Sequence, residues 1–253
     1  MVRSSSDTWY MGLLQKRLED KICALWYGEW GVKEDVGSGT FLSAPPRKFI
    51  LTCEHVATPF YKCIEARVHV PGGLSIPREH TTLIFANKAR DLALIQVNEE
   101  ASQLAGFELE GVAPIEDFTR HDFSSEHLVV CGFPAISVKV SPKRREFSPI
   151  LYLTGLGPDP PSQDLVYCNY PVGPGEVIGA GPNAALPRAP GLSGSALLSV
   201  PSPSTRELPI NRIWTFENMR IVGVTITWNQ STYLEGTRCG DVPSMIRGEK
   251  AYP

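Results

Sequence analysis

Apolar residues follow two different patterns along the chain. Between residues 7 and 19 they recur at helical spacing behind a Ser and an Asp that can cap a helix, which predicts a short N-terminal helix. From residue 21 onward they form short runs separated by Gly and Pro turn signals, a pattern typical of β-strands in a barrel or sandwich. The runs are Ile22–Tyr27, Gly39–Leu42, Phe49–Thr52, Arg67–Val70, Leu83–Ala86, Leu92–Val97, Leu128–Cys131, Ile150–Thr154, Leu165–Asn169, Ala196–Val200 and Ile221–Thr227.

The strand runs fall into two sets, separated by a less regular stretch between residues 101 and 125. Two six-stranded antiparallel halves are the simplest arrangement. The predicted organisation is a helical extension over residues 1–20, a first β-barrel over 21–110, a linker over 111–125 and a second β-barrel over 126–253. The last part of the chain, with a short tail, contains one helical turn at Val242–Arg247.

Composition narrows the functional classes. A hydrophobic content of 42%, a charged content of 20% and a net charge of −3 are those of a soluble globular protein, and they argue against nucleic-acid or anionic-membrane binding. No signal-peptide or membrane-spanning segment is visible, so a cytoplasmic location is expected.

Six cysteines are scattered along the chain without a C-x-x-C pair. An even number permits three disulfides, but the expected reducing compartment favours free thiols that pack in the core. The five histidines do not cluster with the cysteines in sequence, so neither a metal site nor a cofactor is predicted.

The segment Gly191-Leu192-Ser193-Gly194-Ser195 holds the strongest candidate for chemistry. Glycines on both sides of Ser193 leave its hydroxyl accessible and allow backbone N–H groups to point at the same place. An acyl-transfer nucleophile needs both features. Gly- and Ser-rich turns are common, however, and the segment by itself is more typical of an ordinary turn serine.

A serine nucleophile needs a base and an acid that orients the base. All five histidines precede Ser193, whereas the α/β-hydrolase order requires a histidine after the serine, so that fold is excluded. His55 follows an apolar strand, and Asp91 directly precedes another. Taken singly, His55 could be a core histidine and Asp91 a strand-start cap; their order with Ser193 favours a joint role.

Several motifs together resemble the chymotrypsin-like (trypsin-like) serine proteases, in particular the non-zymogen bacterial branch of the high-temperature-requirement proteases. They are Gly37-Ser38-Gly39-Thr40-Phe41-Leu42, Leu51-Thr52-Cys53-Glu54-His55-Val56, Asp91-Leu92-Ala93-Leu94-Ile95, Cys131-Gly132-Phe133-Pro134, Gly191-Leu192-Ser193-Gly194-Ser195-Ala196 and Ile221-Val222-Gly223-Val224. The resemblance covers residues 20–235 and implies a double β-barrel with the cleft between the barrels. It implies that His55 is the general base, Asp91 its orienting partner and Ser193 the nucleophile. The N–H groups of Gly191 and Ser193 would form the oxyanion hole.

Departures from the family pattern bear on control and specificity. Leu192 replaces the acid that pairs with a freed N-terminal amine in zymogen proteases, so control is expected to come from a regulatory partner, a ligand or oligomerisation. By the resemblance, Pro187 lines the base of the primary pocket, and neighbouring Arg188 either receives an acidic substrate side chain or points to solvent. No acid lies between residues 177 and 193, which predicts a pocket for an uncharged side chain.

The resemblance further implies that Thr225, Ile226 and Thr227 form the strand edge that pairs with substrate backbone. The segment Lys143-Arg144-Arg145 is expected to be a solvated charged loop, with self-cleavage or partner docking as the alternative. The predicted function is a serine endopeptidase that acts on protein or peptide substrates through an acyl-enzyme. The alternatives are a catalytically silent protease fold that binds peptides and an esterase that uses the same site.

Overall fold

The computed structural model describes residues 18–19, 21–29, 33–70, 75–104, 126–135, 138–141, 144–170, 177–178, 189–201, 219–228 and 232–247. These residues form two antiparallel seven-stranded sheets and a two-stranded ribbon. The predicted all-β fold with two halves is confirmed, although each sheet has one strand more than the six expected. Most of the predicted N-terminal helix and all of residues 111–125 lie outside the described residues; Leu18 and Glu19 are helical.

The first sheet has the strand order β5-β4-β1-β2-β3-β7-β6. Its strands are β1 (Ile22–Glu29), β2 (Lys33–Ala44), β3 (Arg47–Thr52), β4 (Arg67–His69), β5 (Ser75–Pro77), β6 (Thr81–Asn87) and β7 (Leu92–Val97). Helix α1 (Glu54–Lys62) follows β3 directly, a 3-10 turn covers Arg78–His80, and helix α2 (Glu99–Leu104) follows β7.

The second sheet has the strand order β12-β16-β15-β14-β8-β11-β13, and β9 and β10 form the separate ribbon. The chain runs through β8 (Glu126–Gly132), β9 (Val138–Ser141), β10 (Arg144–Phe147), β11 (Ile150–Thr154), β12 (Leu165–Asn169), β13 (Val177–Ile178), β14 (Ala196–Pro201), β15 (Arg220–Trp228), β16 (Tyr233–Arg238) and helix α3 (Val242–Arg247). Helix α3 confirms the predicted C-terminal turn. Among the described residues, none of the helices has the length and apolarity needed to cross a membrane.

The segment Lys143-Arg144-Arg145, which was expected to be a charged loop, is partly a β-strand. Arg144 and Arg145 lie on β10, where they pair with Ser141 and Val140 of β9. These strands were not predicted because β10, with the sequence Arg-Arg-Glu-Phe, has neither an apolar run nor an alternation of polar and apolar residues. Lys143 lies outside the described residues.

The larger of two hydrophobic clusters among the described residues is shared by both sheets, and the smaller lies in the second half alone. Buried residues of the first sheet, such as Leu51 and Ile95, belong to the same hydrophobic cluster as Ala196 and Val224 of the second. Burial on this scale is the main source of stability, at about 25 cal/mol per Å² of apolar surface. All six cysteines are free and five of them are buried, in agreement with the prediction of reduced core thiols.

Candidate active site

The carboxylate of Asp91 is held at the start of helix α1. Its Oδ1 accepts a hydrogen bond from the backbone N–H of His55 at 2.9 Å, and its Oδ2 lies 2.5 Å from His55 Nδ1. Asp91 occupies the end of the turn before β7 with a φ of 50°, a left-handed conformation that Asp tolerates better than most residues. Two residues 36 positions apart in sequence are thereby fixed as a pair.

These contacts keep Asp91 ionised and fix the tautomer of the His55 ring. Burial acts to raise the pKa of the Asp91 carboxyl, but the hydrogen bonds from the His55 ring, from the His55 N–H and from the Glu54 N–H, together with the charge of His55, lower it overall. An ionised carboxylate can only accept, so the hydrogen bond assigns the ring proton to Nδ1. The other ring nitrogen, Nε2, is then the one that can accept a proton.

Ser193 lines the same cavity as His55 and Asp91. Its Oγ donates to the carbonyl of Ile226 at 3.3 Å and makes no hydrogen bond to His55. Such bonds are often long in ligand-free sites and tighten when substrate binds. The structure thus brings the three predicted residues to one cavity and connects two of them directly.

The turn before Ser193 presents two backbone donors. The Leu192 N–H donates to the Ala189 carbonyl at 2.8 Å, and Gly191 has a φ of 93°, as at the third position of a type II turn. The Pro190 carbonyl accepts from the Ala135 N–H at 2.7 Å. Because a trans peptide directs its carbonyl and its N–H to opposite sides, this bond turns the Gly191 N–H away from Ala135. Within the described part of the chain, no residue accepts from the N–H groups of Gly191 or Ser193.

Ser38, a residue of β2 to which the sequence assigned no role, ties the first sheet to this turn. Its N–H donates to the Ser193 carbonyl at 2.7 Å, and its Oγ donates to the Gly191 carbonyl at 2.8 Å. The same Oγ accepts from the Phe133 N–H at 2.8 Å, and its carbonyl accepts from Thr52 Oγ1 at 2.7 Å. The only sequence signal for this role is a serine between glycines in a strand that is otherwise buried.

Both glycines near Ser193 are required by their surroundings. A Cβ on Gly191 would lie 2.4 Å from the Ala135 nitrogen, and one on Gly194, where φ is 90°, would lie 1.9 Å from the Ser38 carbonyl oxygen. Positive φ and close backbone approach therefore both demand glycine. The compact turn exists only because these two side chains are missing.

Strand β15 forms another wall of the cavity. Its pairing with β14 ends at Val224. From Ile226 to Trp228, the side of β15 that faces β14 therefore has no strand partner among the described residues, although β16 continues to pair on the other side. Thr225 is different, because its N–H donates to Ser195 and its carbonyl accepts from Gly194, both at 2.8 Å. Of the three residues expected to pair with substrate, Thr225 thus has both backbone groups occupied and Ile226 has its carbonyl occupied by Ser193 Oγ, whereas Thr227 lies beyond the last pair between β14 and β15.

The cavity has a volume of about 810 Å³. Apart from His55 and Asp91, the described residues that line it are uncharged: Ala189, Pro190, Ser193, Thr225, Ile226, Thr227, Trp228 and Leu234. Pro187 and Arg188, named from the sequence as pocket residues, lie outside the described residues.

A cross-sheet ion pair supports the Asp91 turn. Arg90 forms a bidentate ion pair with Asp241, next to helix α3, and its second guanidinium nitrogen also donates to the Arg238 carbonyl at 2.6 Å. Arg47 donates to the Ile246 carbonyl at 2.8 Å. Helix α3 and the turn before it are thereby held against the first sheet, next to Asp91.

Comparison with known proteins agrees with this architecture. The serine endoprotease from Yersinia pestis superposes with a TM-score of 0.56 over 98% of this chain and 67% of that chain, at 14% sequence identity. The active form of the Rv3671c protease from M. tuberculosis gives a TM-score of 0.54 over 100% of this chain and 90% of that chain, at 15% identity. The fold is that of the chymotrypsin-like serine proteases.

Of the comparisons with known proteins, only the comparison of three-dimensional structures finds similar proteins. No protein-family profile matches the sequence, and no curated protein is significantly similar to it. At 14–15% identity the likeness establishes the fold, and the chemistry has to be argued from the residues of this chain.

Proposed function

We propose that this protein is a serine endopeptidase with Ser193 as nucleophile, His55 as general base and Asp91 as the acid that orients the base. The observation that carries the proposal is the Asp91–His55 pair, which leaves Nε2 as proton acceptor in the cavity that Ser193 lines. The available N–H groups of Gly191 and Ser193 support it, because an acyl-transfer site needs donors for the oxyanion.

Each step of the proposed reaction uses groups of this chain. Nε2 of His55 takes the Ser193 proton as Oγ attacks the substrate carbonyl, and the oxyanion is stabilised by the two N–H groups of the turn. The imidazolium then gives its proton to the leaving amine, which releases the first product and leaves an ester on Ser193. Water repeats the sequence and frees the second product.

The substrate in this proposal is a peptide segment with an uncharged side chain in the primary pocket. The support is the uncharged described lining of the cavity and the open edge of β15 from Ile226 to Thr227, which can pair with an extended backbone. A trypsin-type acidic pocket has no support in the described lining.

Labelling with a fluorophosphonate probe tests the proposal. We expect wild-type protein to be labelled and Ser193→Ala to be silent. Ser195→Ala is the matched control, since this hydroxyl is buried two residues away and makes no hydrogen bond to a described residue. Labelling that persists in Ser193→Ala would contradict the proposal. Peptide and ester substrates with the same side chain then separate a protease from an esterase.

A silent peptide-binding module is the second candidate, because Ser193 Oγ donates to Ile226 and makes no bond to His55. It predicts a folded wild-type protein that resists labelling but binds extended peptides in the cavity. Binding without labelling would therefore favour this module over the peptidase.

A further inference from the structure

A third polar side chain lies beside the Asp91–His55 pair and has no part in the proposed reaction. Cys53 is fully buried directly before helix α1, and its Sγ donates to the Thr225 carbonyl at 2.9 Å. The Cys53 Sγ, a His55 ring nitrogen and an Asp91 carboxylate oxygen all lie within 4.8 Å of one another. The described residues contain no second group of this kind.

The three side chains offer the ligand types that zinc prefers. Thiolate sulfur, imidazole nitrogen and carboxylate oxygen bind Zn²⁺ at about 2.0–2.3 Å, and three such ligands leave a fourth position open for water. In a tetrahedral site with these bond lengths, the ligand atoms lie about 3.3–3.8 Å from one another. Shifts of about 1 Å would therefore bring the three atoms into position to bind zinc. The side chains of His55 and Asp91 are 46% and 23% exposed, which gives an ion access and gives both side chains room to move.

Charge balance also favours a divalent cation. One thiolate and one carboxylate exactly offset two positive charges, and this removes the cost of an unpaired charge in a largely buried place. Neither zinc nor any other cation is required by the proposed peptidase reaction.

We propose that Cys53, His55 and Asp91 form an inhibitory zinc site. Zinc bound through Nδ1 displaces the Nδ1–Oδ2 hydrogen bond, and the remaining ring proton then resides on Nε2. The thiol proton leaves to solvent. Because Nε2 no longer has a free lone pair, it cannot accept the Ser193 proton. Binding itself does not depend on catalysis, whereas inhibition rests on the proposed function.

Metal binding is tested on the full chain with Co²⁺, whose thiolate charge-transfer band reports a Cys ligand, and with Zn²⁺ by calorimetry. We expect one equivalent of either ion to bind wild type, with the band present for Co²⁺. Cys53→Ser keeps a donor for the Thr225 carbonyl but should lose the band and bind Zn²⁺ at least about 10-fold more weakly, a loss that even changes outside the ligand shell can cause.

Two further variants test whether the metal-binding signals come from the proposed ligands. Cys63→Ser removes the one cysteine that is only partly buried and should leave both signals unchanged. Asp91→Asn retains every thiol and should weaken Zn²⁺ binding. Absence of stoichiometric binding by wild type, or an unchanged band in Cys53→Ser, would overturn the inference, and thermal melts establish that each variant is folded.

Fluorophosphonate labelling with and without Zn²⁺ separates the two proposals. Zinc should slow labelling of the wild type at least about 10-fold while sparing Cys53→Ser. A protein that binds Co²⁺ through Cys53 yet is never labelled would refute the peptidase and keep the metal site. Normal labelling that Zn²⁺ does not slow would refute inhibition.

Discussion

Replacing Ser38 with Ala removes one hydroxyl that serves two backbone groups. The Gly191 carbonyl loses its donor and the Phe133 N–H loses its acceptor, and both groups lie between the two sheets. Each buried group left unsatisfied costs about 1–3 kcal/mol. We therefore expect Ser38→Ala to fold with a free energy of unfolding lowered by about 2–6 kcal/mol.

The effect on reactivity should be smaller than the loss of a whole oxyanion donor, which costs about 10²–10³ in rate. The Gly191 N–H belongs to the Pro190–Gly191 peptide, and the bond between the Pro190 carbonyl and the Ala135 N–H remains in the variant. The donor is thus loosened without being removed. We expect the rate of fluorophosphonate labelling to fall about 10-fold, or about 1.4 kcal/mol of transition-state stabilisation.

The assay compares second-order labelling rates at a temperature where urea titration shows both proteins folded. Ser43→Ala, on the same strand but away from the turn, is the matched control and should label like wild type. A folded Ser38→Ala that labels at the wild-type rate would refute the idea that this hydroxyl positions the oxyanion turn.

Two more substitutions test the scaffold around the site. Asp241→Asn removes a charge from the ion pair with Arg90 and should lower the free energy of unfolding by about 1–2 kcal/mol. Urea titration measures this change, with Asp159→Asn at an exposed position as the control. An unchanged midpoint would contradict a supporting role for the pair. Gly194→Ala places a Cβ 1.9 Å from a backbone oxygen at positive φ and should cost more than about 2 kcal/mol. Gly155→Ala, where the nearest atom is 4.0 Å away, should be nearly neutral in the same thermal melt, and equal effects of the two changes would refute the steric argument.

Apart from β4, whose residues alternate between polar and apolar, the strands that the sequence predicted have nearly continuous apolar runs. Such a run identifies a strand that is buried on both faces, as in β3 and β7. The missed strands lack that signal: β13 has two residues, β5 contains a proline, and β16 carries Glu235 and Gly236 in its centre. Their strand conformation comes from pairing with neighbours distant in sequence, which local patterns do not contain.

The candidate residues of the site were predictable because each lies next to a strong local signal, an apolar strand or a pair of glycines. The contacts of Ser38 with Gly191 and of Cys53 with Thr225 were not predictable, because they join residues more than 150 positions apart. A serine in a strand and a cysteine in an apolar run are ordinary core residues until the second sheet packs on the first.

Helix α1 shows how the fold and the site depend on the same group. It has no capping side chain of its own and contains Pro59, so no local signal predicts it. The acceptor for its first N–H groups is instead Asp91, which also holds the ring of His55, the second residue of the helix. A carboxylate at a helix N-terminus is stabilised by the free N–H groups and the helix dipole. The carboxylate that contacts the His55 ring therefore also accepts from the first turn of this helix, and the position of His55 depends on secondary structure as much as on its side-chain contact.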